Sequence, residues 1–123
     1  MRIVDTNIVL RYVLCDHGEL SDKARRIIEK SVVEVPLEVL CEVVYVLSSV
    51  YKVVREEIST ELRGFFENTA CELPHRKAAL NGLELFAKTN LDFVDCILAG
   101  YKGAEEAEVY TFDKKLQKIL DQE

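Results

Sequence analysis

Short apolar runs alternate with longer segments of helical periodicity, and this alternation limits most strongly how the chain can fold. The short runs predict four strands, at residues 2–5, 32–35, 70–73 and 107–111. The segments between them have apolar residues at helical spacing. Strands that alternate with helices are typical of βαβ units and a mainly parallel sheet. The sequence therefore predicts an α/β fold, a three-layer α/β/α sandwich around a central, mainly parallel sheet of four strands.

Length and composition predict a single domain. At 123 residues the chain is short enough for one domain, residues 1–123, and its hydrophobic fraction of 49% argues against disorder. Its uninterrupted apolar runs stay far below the roughly 20 residues that a bilayer span requires. Asp5 stands where a signal peptide would need apolar residues. We therefore expect a soluble, cytoplasmic protein with no membrane partner.

Four isolated carboxylates stand beside strongly apolar segments. Asp5 and Asp113 each come just after a predicted strand, whereas Glu42 and Asp95 lie inside predicted helices. A carboxylate in such surroundings is costly unless something compensates its charge. In open α/β sheets ligands bind at the carboxyl ends of the strands. If the four acids converge there, a divalent cation would offset their repulsion, and oxygen ligands favour Mg²⁺ or Mn²⁺.

Each acid also has a purely structural interpretation. Asp113 could be the N-cap of the last helix, and Asp92 with Asp95 suits an N-cap followed by an acid in the first turn. Asp5 could close a turn through its own backbone. Glu42 could form a structural salt bridge. Periodicity alone does not decide whether the acids meet in space.

The charge balance is acidic, with 16 basic and 22 acidic residues and a net charge of −6. This weakens a general nucleic-acid-binding interpretation. One or two bound divalent ions would bring an acidic cluster close to neutral. The net charge is therefore compatible with a metal-dependent phosphodiesterase.

The chain resembles the PIN-domain ribonucleases, and among them the VapC-type toxins of toxin–antitoxin pairs. The resemblance covers nearly the whole length and depends on four segments in the expected order. These are residues 3–10 (IVDTNIVL), 39–47 (VLCEVVYVL), 92–99 (DFVDCILA) and 109–116 (VYTFDKKL). It implies a PIN-like fold, in which a fifth strand often follows the fourth acid.

The resemblance also implies a site. Asp5, Glu42 and Asp95 would be the core catalytic acids, and Asp113 a more variable fourth. Asp5, Asp95 and Asp113 would hold one or two Mg²⁺ or Mn²⁺ ions. Polar residues that would support the acids are Asn7, Thr111 and Asp92.

By the same resemblance, the substrate would be single-stranded RNA, and the partners a second copy of the chain and an antitoxin protein. Cationic residues that could hold RNA phosphates, or simply be solvated surface charges, are Arg11, Lys52, Arg55, Lys114 and Lys115. Two other functions stay open. A phosphohydrolase that forms an aspartyl-phosphate on Asp5 would need a second acid at residue 7, where Asn7 stands. A non-catalytic module could bind RNA or protein with its acids as scaffold.

Overall fold

A computed structural model describes residues 1–122, and these form seven α-helices. Each helix predicted from apolar periodicity is present, with its ends shifted by a few residues. Glu123, the last residue of the predicted domain, lies outside the described residues. The helices are α1 (Thr6–Leu14), α2 (Gly18–Lys30), α3 (Leu37–Ser49), α4 (Arg55–Asn68), α5 (Arg76–Lys88), α6 (Phe93–Glu105) and α7 (Lys114–Gln122).

Ser21 precedes apolar residues at helical spacing and is a plausible N-cap in the sequence, but α2 begins before it. The helix begins at Gly18, because the side chain of His17 accepts a hydrogen bond from the backbone N–H of Leu20 at 3.2 Å. Ser21 is instead buried inside the helix and donates its hydroxyl to the carbonyl of Arg11 at 2.8 Å. This hydrogen bond ties α2 to α1.

The predicted three-layer α/β/α sandwich is wrong. No residue between 1 and 122 belongs to a strand, and three of the four predicted strands meet only through isolated parallel bridges, Ile3 with Glu34 and Glu34 with Glu72. Two backbone hydrogen bonds surround each bridge. Val4 donates to the carbonyl of Glu34 at 3.1 Å, and Glu72 donates to the carbonyl of Val33 at 2.8 Å. A single bridge per pair does not extend into a ladder.

The bridge residues suggest why pairing stops there. Ile3 is 55% exposed and Glu72 is also exposed, whereas Val4 and Val35 on the opposite side are buried. Only one face of these segments is therefore covered, and a sandwich needs both. Glu34 and Glu72 are bridge partners of like charge, which disfavours further pairing. The β-branched composition of these runs does not by itself specify a ladder.

The fourth predicted strand, residues 107–111, makes no bridge within the described residues. Tyr110 is 87% exposed, and Phe112, just beyond this segment, is fully exposed. A strand gains stability from cross-strand neighbours and burial, and this segment has little of either. It serves instead as the connection that delivers Asp113 to the start of α7.

Close helix packing replaces the missing sheet as the centre of the fold. α5 and α6 approach so closely that a Cβ added at Gly100 would lie 2.2 Å from the carbonyl oxygen of Ala78. Gly82 faces the backbone of Ile97 in the same interface, at 3.1 Å. The contact fixes the position of α6, which carries Asp95. Among the described residues, no helix has both the length and the apolar character needed to cross a membrane.

Candidate active site

Asp5 ends the first extended segment and caps α1. Its Oδ1 accepts a hydrogen bond from the backbone N–H of Ile8 at 3.1 Å. The preceding Val4 is buried, whereas Asp5 and the neighbouring Asn7 are exposed. A carboxylate has two oxygens with about four acceptor positions. The cap therefore fixes the side chain of Asp5 and leaves its second oxygen available to a ligand.

Asp113 has the same arrangement at the start of α7. Its Oδ1 accepts a hydrogen bond from the backbone N–H of Leu116 at 2.8 Å. Thr111 orders the turn, because its hydroxyl accepts a hydrogen bond from the backbone N–H of Asp113 at 3.0 Å. Thr111 thus supports Asp113 through the backbone. The capping interpretation of Asp113 is confirmed, and one carboxylate oxygen remains outside the cap.

Asp95 lies in the first turn of α6, and Asp92 lies at its N-cap position without a side-chain bond to the helix backbone. A helix N-terminus usually stabilises a negative charge by about 0.3–1 kcal/mol. Even so, the pKa of Asp95 is raised above its ordinary value, first because burial disfavours the charged form and then because Asp113 and Asp92 repel it. Burial and the two neighbouring carboxylates therefore make the charged form of Asp95 costly.

Glu42 lies on an exposed stripe of α3. The stripe consists of residues three or four positions apart, which are neighbours on a helix surface. All its members are exposed: Glu38, Glu42, Tyr45 and Ser49. Within residues 1–122 Glu42 takes part in no ion pair or side-chain hydrogen bond, so the structural salt bridge considered for it is not formed there.

The structure brings some of the predicted acids together more clearly than others. Asp92, Asp95 and Asp113 come from the starts of two helices and interact electrostatically, whereas Asp5 and Glu42 are not among the groups that shift the pKa of Asp95. No group of three or more His, Cys, Asp or Glu side chains in residues 1–122 is close enough to hold a metal. The acids do not form a closed cage.

The type of these donors nevertheless suits a hard divalent cation. Mg²⁺ usually keeps several waters and binds through one or two carboxylates, so a complete set of protein ligands is not required. The repulsion around Asp95 is what a nearby cation would relieve. Carboxylate oxygens are the donors that Mg²⁺ and Mn²⁺ prefer, and of the predicted metal ligands Asp95 and Asp113 interact electrostatically, whereas Asp5 does not act on Asp95.

The predicted RNA-binding residues differ in whether their charged groups already have partners. Arg11 is engaged, because it forms an ion pair with Asp16 at 2.7 Å and donates a hydrogen bond to the hydroxyl of Tyr51 at 2.8 Å. Lysines at three other predicted positions are exposed: Lys52, Lys114 and Lys115. Of these, Lys114 and Lys115 directly follow Asp113.

Arg55, the fifth, is half-buried and holds three elements together. Its guanidinium lies over the ring of Phe86 at 3.7 Å from the centroid. It donates hydrogen bonds to the carbonyl of Phe86, at 2.8 Å, and to the carbonyl of Leu91. Arg55 therefore ties the start of α4 to the end of α5 and to the residue before Asp92. In the structure its contacts are those of a positioning residue.

Sequence reasoning missed a cavity beside these acids. It has a volume of about 380 Å³, and Asp92, Tyr45 and Ser49 are among the residues that line it. The sequence does show part of the cavity lining, because Tyr45 and Ser49 lie on the same polar stripe of α3 as Glu42. Only the three-dimensional structure shows that this stripe faces the start of α6.

The comparison with protein families gives one match. The family model described as PIN domain matches residues 2–121. No curated protein sequence and no solved structure matches the chain significantly. The matched span includes all four candidate acids, from Asp5 to Asp113.

Proposed function

Because this chain belongs to the PIN-domain family, whose members are generally nucleases, we propose that it is a divalent-metal-dependent endoribonuclease that hydrolyses phosphodiester bonds of single-stranded RNA. The observation that supports this most directly is the electrostatic coupling of Asp95 to Asp113 and Asp92. The cap explains the position of Asp113, but it does not require a second carboxylate nearby, and carboxylates that repel one another suit a cation site.

The roles proposed for the four acids follow from the contacts that each side chain makes. Asp5, Asp95 and Asp113 hold one or two Mg²⁺ or Mn²⁺ ions, and the first and last of these are kept in place by their caps. When bound, such an ion stabilises charge on the phosphate and lowers the pKa of water. Glu42 is exposed and has no partner within residues 1–122, so it is available to accept the proton of the attacking water.

Lys114 and Lys115 are proposed to hold the RNA backbone near the site. Both are exposed and follow Asp113 at the start of α7. Lysines that neutralise phosphates bind RNA regardless of sequence and in a salt-dependent way. They would offset locally the acidic net charge of the chain, which is −6. Lys52, which is also exposed, is a further candidate for this role, whereas the guanidinium of Arg11 is held by Asp16 and Tyr51.

A cleavage assay tests the function. The wild type should cut a labelled single-stranded RNA with Mn²⁺ or Mg²⁺ and stop when the metal is chelated, and Asp5→Asn and Asp95→Asn should abolish cleavage. Asp22→Asn is the matched control, because Asp22 is an exposed acid on α2 that pairs with Arg25; it should cleave like the wild type. Circular dichroism should show native helix content in all variants. Cleavage that persists in both acid variants would contradict the proposal.

We further propose that the protein acts in the cytoplasm as the toxin of a toxin–antitoxin pair and forms a homodimer. The support is the VapC-like segment order and the exposed apolar residues Val50 and Val54 beside the end of α3, which are 65% and 60% exposed. Light scattering should give twice the chain mass. Co-expression with the product of an adjacent small gene should give a complex that no longer cleaves RNA. A monomer that no neighbouring product inhibits would argue for a nuclease outside such pairs.

One observation favours a second candidate, a non-catalytic module that binds RNA or protein. Residues 1–122 contain no group of three or more acidic, histidine or cysteine side chains close enough to hold a metal. A scaffold role for the acids would need no metal at all. Calorimetric titration with Mn²⁺ separates the nuclease from the non-catalytic module. The module should bind no Mn²⁺ below millimolar concentration and should cleave no RNA with any metal.

A further inference from the structure

The cavity beside the acids has the dimensions of a ligand site. Its volume of about 380 Å³ lies within the range of roughly 300–1,000 Å³ that is usual for small-molecule pockets. Helices α3 and α6 form its two main walls, and α4 and α5 contribute one residue each. The lining residues that matter here are Tyr45, Ser48, Ser49, Arg55, Asp92 and Val94.

The α3 wall of the cavity contains residues from the helix face that also carries Glu42. Tyr45 is three positions after Glu42 and Ser49 is four positions after Tyr45, so the three are neighbours on one helix face. The side chain of Tyr45 is 66% exposed although it lines the cavity. Its ring is therefore accessible to a flat ligand, and the hydroxyls of Ser48 and Ser49 add donors and acceptors beside it.

The α6 wall of the cavity lies at the start of the helix, where the first turn carries Asp95. Asp92 lines the cavity, and its charge also contributes to the environment of Asp95. Its carboxylate makes no cap bond to α6 and forms no ion pair within residues 1–122. An ionised carboxylate is purely an acceptor. Asp92 therefore offers two acceptor oxygens to whatever enters.

Arg55 makes this wall rigid. Its stacking on Phe86 and its hydrogen bonds to the carbonyls of Phe86 and Leu91 fix the backbone directly before Asp92. A pocket whose walls are already ordered loses less entropy when a ligand binds. The backbone on this side of the cavity is therefore held in place before a ligand enters.

Resting on the proposed ribonuclease function, we propose that this cavity binds one nucleobase of the RNA substrate and prefers guanine. Sequence-specific proteins read single-stranded RNA by stacking unpaired bases on aromatic rings and hydrogen-bonding their edges. Tyr45 supplies the ring, and Asp92 supplies paired acceptors. Guanine alone carries two adjacent donors, N1–H and N2–H₂, on its Watson–Crick edge, whereas adenine, cytosine and uracil each carry one donor group there. Asp92 can accept both donors of guanine at once.

Binding to labelled hexauridylate and its single-G, single-A and single-C variants tests the preference. The Asp95→Asn protein is used so that no RNA is cut, and fluorescence anisotropy is the readout. The G-containing RNA should bind about 5- to 150-fold more tightly than the others, as expected for one bidentate base contact. Adding Asp92→Asn should remove this preference and leave the affinity for hexauridylate within about twofold.

Variants of Tyr45 test the stacking. Tyr45→Ala should weaken binding of every RNA by about 5- to 150-fold, whereas Tyr45→Phe should bind like the parent protein. Val32→Ala is the matched control, because Val32 is also an exposed apolar residue, at 52%, and does not line the cavity; its affinity should not change.

Equal affinity for all four RNAs would overturn the base preference. An equal loss of affinity in Tyr45→Ala and Val32→Ala would overturn the stacking on Tyr45. Binding is measured without cleavage, which separates this inference from the proposed function. A wild type that cleaves RNA while the cavity variants bind normally refutes the nucleobase subsite alone. A guanine preference in a protein that cleaves no RNA supports the subsite and refutes the nuclease.

Discussion

At the scale of single residues, Asp5 and Asp113 combine a structural and a proposed catalytic role. Each caps a helix with one carboxylate oxygen, at 3.1 Å and 2.8 Å from the backbone nitrogen it accepts from. A cap orients the side chain, and an oriented carboxylate loses less freedom on binding an ion. The two interpretations weighed from the sequence are therefore compatible, and substitutions can separate them.

Asp113→Asn and Asp113→Ala separate the cap from the charge. Asparagine caps a helix about as well as aspartate, whereas alanine should lower the free energy of unfolding by about 0.5–2 kcal/mol through loss of the hydrogen bond to Leu116. Both remove the charge that repels Asp95. Urea unfolding without metal should therefore rank the variants Asn above Ala, with Asn no less stable than the wild type. Equal destabilisation by both would show that the charge itself holds α7.

Asp95→Asn should stabilise the metal-free protein at neutral pH. Because the folded-state pKa of Asp95 is raised by burial and by the charges of Asp113 and Asp92, the native state binds its proton more tightly than the unfolded state. Its contribution to stability is complete below the unfolded pKa of about 3.9 and is lost as pH rises through the folded value. The Asp95→Asn variant has no carboxyl group at this position, so it does not lose this stability as pH rises.

Melting temperatures across the acid-to-neutral range check the sign. The gap between Asp95→Asn and wild type should be near zero at pH about 3 and should widen as pH rises above the pKa of an ordinary carboxylate. Asp22→Asn, which removes an exposed acid of α2, should follow a different profile because Asp22 is paired with Arg25. A variant that melts below the wild type at neutral pH would mean that the charge of Asp95 stabilises the fold.

Sequence reasoning at this scale identified the acids but not their surroundings. Asp113 could be predicted as a cap, since it directly precedes a helical pattern, whereas Asp5 was expected to close a turn and instead caps α1. The role of Arg55 could not be predicted, because its partners Phe86 and Leu91 lie 31 and 36 residues away. Tyr45 was visible only as part of a stripe. Long-range contacts of this kind leave no local periodicity.

At the scale of elements, helices were predictable and strands were not. A helix satisfies its backbone within its own residues, so apolar spacing and end signals were enough to locate all seven. A strand needs a partner. The segments around Ile3, Glu34 and Glu72 do lie parallel, but each pair makes one bridge with one face open. The predicted sandwich was wrong because β-branched composition was taken as sufficient for a ladder.

The α5–α6 contact allows a paired glycine test. Gly100→Ala would place a methyl group 2.2 Å from the carbonyl oxygen of Ala78, so the helices must separate, at a cost of about 1–3 kcal/mol in the free energy of unfolding. Gly64→Ala on α4 meets only the Asn68 side chain, at 3.9 Å, and should stabilise by about 0.5–1 kcal/mol. Urea unfolding measures both. A harmless Gly100→Ala would mean that the two helices are not in close contact in solution.

At the scale of the whole molecule, the acids and the cavity lie at helix starts and on one helix stripe. At the starts of α6 and α7, Asp92 and Asp113 repel the carboxylate of Asp95. The stripe of α3 carries Glu42 on the same helix face as Tyr45 and Ser49, which line the cavity. The helices position these side chains, whereas the sequence-based prediction gave that role to the edge of a sheet. The membership in the PIN-domain family, inferred from four short segments, is confirmed over residues 2–121. The individual roles of the acids stay predictions.

The net charge of −6 belongs to the same scale. A chain this acidic repels RNA in general, so productive binding needs local compensation. Divalent ions between the acids and lysines such as Lys114 and Lys115 provide it in the proposed function. The proposed nuclease activity therefore depends on a shared cation more than on any single hydrogen bond.

Isothermal titration calorimetry with Mn²⁺ tests that dependence most directly, on the wild type, Asp95→Asn and the control Asp22→Asn. The wild type and the control should bind Mn²⁺ with a dissociation constant below about 1 mM, and Asp95→Asn should bind at least about tenfold more weakly, since it loses an anionic ligand. Equal Mn²⁺ affinity in the wild type and Asp95→Asn, or no binding by the wild type below millimolar concentration, would contradict the account.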